Sequence, residues 1–532
     1  MRARQATPRE VEIRCEPRRP ETDTTLGVSV TAAAPARQAR HRLVTVGDSL
    51  THGFMNGAIH RTDLSWPAMV AYELGLSAQE FTYPTYEWPT GPGGLPVDLE
   101  RLAREFDRRF GSRLDLLESL RAAPWLRDHM DSIEDFWERG TGSRPPGRGA
   151  PFHNMAVYGW DVLDPLVTTE ARIERTLAAP TTDDFLGQLV EHHHARAAWP
   201  VLRRAAGDDP RRTVLDAIED LAVDEGIETL VVVLGSNNAL GSIVSLETVW
   251  TPEGYAELTL AQRRDARAGC TIWRPSAFEA DWADLVARLR RIPAQHVVVA
   301  TVPSVTIAPI ARGTHQKVRP DSRYFPFYTR PWVTDEDFDP RHDPHLVEDE
   351  VRAIDSAIDA YNETIIASVR AARESGLDWH LFDMGGLLDR LATRRYVASP
   401  WARPAWWEPY ELPPALRGLD PVPTTRFFRS GPDGRTEGGL FSLDGVHPTT
   451  IGYGILAQEV VSVLGSAGVA FFDRQGHPRA DPVELDFERL LRADTLVSDP
   501  PVSITSSLGL LGWLDDRIDW VSRFLPFVHS PL

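Results

Sequence analysis

The sequence predicts a mixed α/β domain built on a parallel sheet. Two observations carry that prediction. Several strand-length runs are apolar throughout, and amphipathic helical patterns lie between them. A strand that is apolar on both faces must be covered on both, so the expected architecture is a three-layer α/β/α sandwich with large insertions.

The elements follow in order. Residues 1–40 are polar, rich in Pro, Arg and Thr, and aperiodic, so a disordered leader is expected. Leu43–Val46 reads as the first strand. From Leu99 to about Trp137 apolar residues recur at helical spacing (Leu99, Leu102, Phe106, Phe110). Thr141–Pro151 is a loop by its Gly and Pro content. His153–Gly159 is short and strand-like. Val214–Gly226 is an amphipathic helix stopped by glycine, and Thr229–Gly235 a buried strand. Asp281–Ile292 is another helix and His296–Pro303 another strand. A long helix runs from about Leu346 to Glu374, with Val351, Ile354, Ile358, Tyr361, Ile365 and Val369 as its stripe. Trp379–Met384 reads as a strand, and a last helix follows Pro448.

The main domain is expected over 41–475, with insertions at about 90–150, 240–290 and 305–440, and an extension over 476–532. Two stretches, 324–345 and 396–423, are rich in Trp, Tyr and Pro without periodicity. Long irregular segments inside a compact domain are usually functional or disordered, and these are expected to form a lid or substrate wall. The extension carries Leu511, Leu514, Ile518 and Val521 on one helical face. Docking on its own domain or self-association is expected there. Asp515, Asp516 and Asp519 on the polar face disfavour, without excluding, membrane contact.

Composition narrows the function. The net charge is −19, and no basic stripe reverses it in the sequence, so nucleic acid is not an expected partner. The one lysine is Lys317. The abundant arginines look like coding bias rather than phosphate binding. The N-terminus lacks an apolar h-region and no run of about 18 apolar residues spans a bilayer, so a soluble cytoplasmic protein is expected. The two cysteines, Cys15 and Cys270, leave the redox compartment open.

In a parallel α/β sheet, ligands gather at the carboxyl ends of the strands. Four candidate strands end there in small or polar residues: Gly47-Asp48-Ser49, Gly159, Gly235-Ser236-Asn237 and Val302-Pro303-Ser304. A serine nucleophile needs a base, a group to orient the base, and donors for an oxyanion. Asp444 and His447, three residues apart before the last helix, supply an acid and a base in one turn. Gly159 lets an oxygen approach its amide, and Asn237 offers a donor that cannot ionise.

The blocks Gly47-Asp48-Ser49-Leu50, Asn154 to Gly159, Gly235-Ser236-Asn237-Asn238 and Asp444-Gly445-Val446-His447-Pro448 resemble, in that order, those of the SGNH (GDSL) hydrolases, a family of esterases and lipases. The resemblance covers roughly residues 40–470, in blocks only. It implies a flavodoxin-like parallel sheet, the SGNH hydrolase fold. It also implies Ser49 as nucleophile, His447 as base and Asp444 as its orienting acid. The oxyanion hole would comprise the Ser49 and Gly159 amides and the Asn237 side chain. The expected function is ester hydrolysis through an acyl-enzyme, on a lipid, a small molecule or an acylated sugar, without a cofactor or metal. Activity should rise as a histidine deprotonates near neutral pH. Acyl transfer by the same residues, or a non-catalytic carbohydrate- or lipid-binding protein of this fold, are the alternatives. Asn238 departs from the family, which more usually has Asp there. Asp48 is expected to hydrogen-bond in the turn. Asp339 and His342 repeat the acid–histidine spacing but lie in an aromatic stretch. Glu191-His192-His193-His194 is expected to be a solvated polar face, since adjacent helical residues diverge.

Overall fold

The computed structural model describes residues 4–31, 39–86, 94–111, 116–179, 181, 190–502, 512 and 521. Its centre is a parallel sheet of β1 (His41–Gly47), β2 (Ile227–Val233), β3 (His296–Ala300) and β4 (Trp379–Phe382), in that spatial order. Val46 pairs with Val232, Val231 with Val298, and Val299 with Leu381. These strands are buried almost without a break. Successive side chains point to opposite faces, so both faces are covered.

On its free side β1 receives the segment His153–Val157. Thr45 N–H donates to His153 O (2.8 Å), Met155 N–H to Thr45 O (2.8 Å), and Val157 N–H to Gly47 O (3.1 Å). The chain therefore goes first to one side of β1 and later returns to β2 on the other. That reversal leaves a crevice at the carboxyl ends of β1 and β2.

The framework helices are only in part those expected from the sequence. They are α1 (Ser49–His52), α2 (Val214–Asp224), α3 (Asn237–Ser245), α4 (Pro275–Leu289), α5 (Glu348–Glu374), α6 (Met384–Leu391) and α7 (Thr450–Ser466). Every stripe residue of α5 from Val351 to Val369 is buried. Pro275 opens α4, where the missing N–H is not needed. The Thr449 hydroxyl caps α7 by accepting from Gly452 N–H. Helices Leu99–Phe110 and Leu116–Glu138 fill the insertion expected at about 90–150.

Three expectations need correction. The leader is not free over residues 4–31. Arg14 pairs with Glu363 (2.5 and 2.7 Å), Arg18 with Asp383, and Leu381 N–H donates to Thr24 O (2.8 Å) along the open edge of β4. These partners are some 350 residues away in sequence, so composition could not reveal them. The insertions expected at 240–290 and 305–440 are interrupted by framework: α4 lies in the first, and α5 and β4 in the second. The aromatic stretches are in large part packed structure, although Trp401 is 82% exposed. Phe327–Thr329 is the middle strand of a small antiparallel sheet with Arg312–Thr314 and Leu346–Val347. Trp407 is buried and donates to Asp389 O (3.0 Å), and Tyr410 reaches Glu459 of α7 (3.0 Å). The amphipathic face expected in the extension lies outside the described residues, Val521 apart. No described helix is long and apolar enough to cross a membrane.

Candidate active site

β1 ends at Gly47 because the next turn leaves no room for a side chain. A Cβ there would lie 2.4 Å from the Thr51 hydroxyl and 2.6 Å from Val233 O. Asp48 then caps α1, its carboxylate accepting from Leu50 N–H (3.0 Å). Ser49 is thus the first residue of α1, at the carboxyl edge of the sheet.

His447 meets it from the far end of the chain. Its Nε2 is 2.9 Å from Ser49 Oγ, across 398 residues of sequence, and its Nδ1 is 3.1 Å from Asp444 Oδ2. A carboxylate can only accept, so the ring proton sits on Nδ1 and the Nε2 lone pair faces the serine O–H. Asp444 is held by three backbone donors: Val446 (2.9 Å) and His447 (2.8 Å) on Oδ1, and Gly57 (2.9 Å) on Oδ2. Burial opposes its charge, but His447 and these N–H groups outweigh it, and the carboxyl stays below its ordinary pKa. Ser49, His447 and Asp444 are all buried. Gly445, at φ +67°, makes the turn between acid and histidine.

The other two blocks converge on the same turn. Tyr158 N–H donates to His52 Nδ1 (3.1 Å), which anchors the Gly159 turn to the end of α1. Gly159 has φ +80°. Asn237 Nδ2 donates to Trp160 O (2.7 Å), tying the start of α3 to the residue after Gly159. That bond fixes the orientation of the amide, since the opposite one would set oxygen against oxygen. One Nδ2 proton is used, and the group carries two. Among the described residues, neither Ser49 N–H nor Gly159 N–H has a hydrogen-bond partner. Asn238 Oδ1 accepts from Val162 N–H (3.2 Å), a bond an aspartate could make as well.

Three residues to which the sequence assigned no role support this arrangement. His52 is fully buried, and desolvation lowers its pKa to about 3, so it is neutral. Its Nδ1 accepts from Tyr158, so Nε2 carries the proton, toward Tyr86 OH (2.9 Å). Asn154 Nδ2 donates to Thr51 O (2.9 Å), stapling the second block to α1. Asn56 Oδ1 accepts from Leu443 N–H (3.0 Å), joining the loop after α1 to the Asp444 loop. Position was the available signal: His52 lies three residues after Ser49, and Asn154 opens the block that carries Gly159.

Ser49 and His447 open onto a cavity of about 100 Å³. Its wall is aliphatic, with Leu240, Val305, Leu387, Leu391, Leu440 and Ile455 among the lining residues. Ser236 and Ser304 bring the ends of β2 and β3 to the same wall. Gly159 and Asn237 are not on it, and neither aromatic stretch contributes, so the expected substrate wall of Trp and Tyr is not at this cavity. Phe325, Tyr328 and Pro331 of the first stretch line a neighbouring cavity instead.

The rival pair is separate from the serine. His342 and Asp339 are 2.9 Å apart, and the His342 side chain is 77% exposed. The histidine run is not a uniformly solvated face: His193 is buried and its Nδ1 is 2.8 Å from Tyr158 OH. Among the described residues, His296, Asp378 and His380 bring potential metal ligands within 4.8 Å of one another. They sit at the amino ends of β3 and β4, opposite the serine, and Arg373 pairs with the same carboxylate (3.1 Å).

Asp48 supplies a stability prediction. Desolvation raises its pKa from 3.8 to about 7. Between those values the folded protein keeps a proton that the unfolded chain has released. Stability from this site therefore falls as pH rises from about 4 to about 7 and is flat above. Asp48→Asn keeps an acceptor for Leu50 N–H and removes the titration. Its melting temperature, relative to wild type, should climb across that window and then hold. Parallel melting curves at every pH would contradict this.

Compared with known proteins, the chain matches no protein-family model and no curated sequence.

Proposed function

We propose that the protein is a serine ester hydrolase of the SGNH (GDSL) type, with a three-layer, flavodoxin-like domain. The single observation that carries the reading is the buried relay Asp444–His447–Ser49, at 3.1 and 2.9 Å. Order along the chain and position at the strand ends support it further.

In this reading Ser49 Oγ attacks the ester carbonyl carbon and its proton passes to His447 Nε2. Asp444 stabilises the imidazolium through Nδ1–H. The oxyanion accepts from the Ser49 and Gly159 amides and the second Nδ2 proton of Asn237. The intermediate collapses, the alcohol leaves with the proton from His447, and an acyl-enzyme remains. Water, deprotonated by His447, then releases the acid. The aliphatic cavity beside Ser49 suits an apolar acyl chain.

The same cavity favours a second reading. Ser49 is only 3% exposed, in apolar surroundings that limit water, so an alcohol could compete for the acyl group. Added alcohols would then divert product from acid to ester.

A fluorophosphonate should label Ser49 in the wild type and not in His447→Ala, as read by peptide mass mapping. A folded wild type that takes no label anywhere would overturn the hydrolase reading. Asn237→Ala should lower kcat by about 10²–10³-fold with little change in labelling stoichiometry.

A further inference from the structure

A second cavity, of about 290 Å³, adjoins the serine cavity: Thr425 lines both, and the turn Val305–Pro309 separates them. It is lined by Arg312, Arg323, Arg394, Arg395, Arg426 and Arg429. Glu437 lines it as well. Six guanidinium groups surround one cavity, and four of them have a carboxylate ion-pair partner. Arg312 pairs with Asp335 (2.6 Å) and Arg395 with Asp355 (2.7 Å). Arg426 (2.7 Å) and Arg429 (3.5 Å) share Glu437. Arg394 is held by Gly313 O (2.6 Å) and Arg323 touches Tyr396 OH (3.5 Å), both neutral. Asp359 acts on Arg323, and Asp389 on Arg395 and Arg323, without a direct ion pair to either. Burial raises them to about 7 and about 6.

Several of these nitrogens are buried without a hydrogen-bond partner: Arg323 Nε and Nη2, and Arg395 Nη1. Arg323 is 7% exposed and Arg395 4%. Leaving charged donors buried and unpaired is costly, and a tetrahedral oxyanion would satisfy several at once. Arginine is suited to this by its planar fork of donors. The cavity also runs against the net charge of −19, so it is a local feature and not a share of a general positive field.

We infer that the arginine cavity binds a phosphate group, and that the ester cleaved at Ser49 carries that phosphate on its alcohol part. This rests on the hydrolase reading. The acyl chain would occupy the aliphatic cavity, and the phosphate would sit beyond the Val305–Pro309 turn. The net requirement is one molecule with an apolar acyl group and a phosphate on opposite sides of the scissile ester.

The test uses two probes on the full chain. The first is inorganic phosphate alone: it should raise the melting temperature of the wild type, as a ligand specific for the folded state does. The rise should shrink in Arg394→Gln and in Arg429→Gln. Arg429 is half-exposed, so its variant should fold even if Arg394→Gln does not. The second probe is a matched pair, decanoylglycerol and decanoylglycerol phosphate. The phosphorylated ester should be preferred in kcat/KM by about 10- to 100-fold, the worth of one or two charge-assisted hydrogen bonds. That ratio should collapse toward one in both variants, chiefly through KM.

A phosphate-dependent shift with equal rates on the two esters would mean a free-phosphate site and would overturn the substrate assignment. Equal rates without a shift would overturn the anion site and leave the hydrolase reading standing. If neither ester is cleaved, the hydrolase reading fails. The melting shift and its loss in the variants would then uphold or overturn the anion site by themselves.

Discussion

Ser49→Ala and His447→Ala should each lower kcat by about 10⁶-fold, and the double variant should fall no further. The reason is the 2.9 Å contact between His447 Nε2 and Ser49 Oγ. A hydroxyl without a base is a poor nucleophile, and a base without a hydroxyl has nothing to deprotonate. The two therefore act as one device, and removing half removes the whole. KM should change little, because the aliphatic wall that would bind the acyl chain stays intact. The measurement is steady-state kinetics of all three variants on one chromogenic ester. A single variant that keeps more than about 1% of wild-type kcat would contradict the relay, as would losses that multiply in the double variant.

The parts of this protein that were legible in the sequence are those with a local signal. β1 to β4 are each short and mostly apolar, and such a run needs no distant partner to be recognised. α5 was legible because its stripe repeats in steps of three and four over 27 residues. Ser49, Asp444 and His447 were legible as residue types in short blocks, and the structure brings the three into one hydrogen-bonded line. What the sequence hid depends on contacts between remote positions. Arg14 and Glu363 are 349 residues apart, and neither predicts the other. The arginine cavity draws its members from positions 312 to 429, so no basic stripe appears although the charges meet in space. Nor could the sequence say where its tryptophans go. The same composition serves a binding wall or a packed flank, and burial of Trp407 beside Tyr396 decides for packing in that stretch.

Asp444→Asn should lower kcat by about 10⁴-fold, and the cause is a change of tautomer more than a loss of charge. The carboxylate accepts four hydrogen bonds: Val446 and His447 N–H on Oδ1, and Gly57 N–H and His447 Nδ1–H on Oδ2. An asparagine oxygen will keep the two turn amides, because the Asp444–His447 turn depends on them. Its NH₂ group then occupies the place of Oδ2, facing Gly57 N–H and the imidazole. Facing a donor, the imidazole must present a lone pair at Nδ1, and its proton moves to Nε2. Nε2–H then points at Ser49 Oγ, and the base is lost although every heavy atom stays in place. The Gly57 N–H, now opposite another donor, is buried and unsatisfied, which should cost about 1–3 kcal/mol of stability. The two effects separate by experiment: a lowered melting temperature reports Gly57, and kcat reports the tautomer. Raising the pH should not restore kcat, because a neutral histidine in the wrong tautomer has no proton left to lose. Near-full activity in Asp444→Asn would mean that His447 is oriented by something other than this carboxylate.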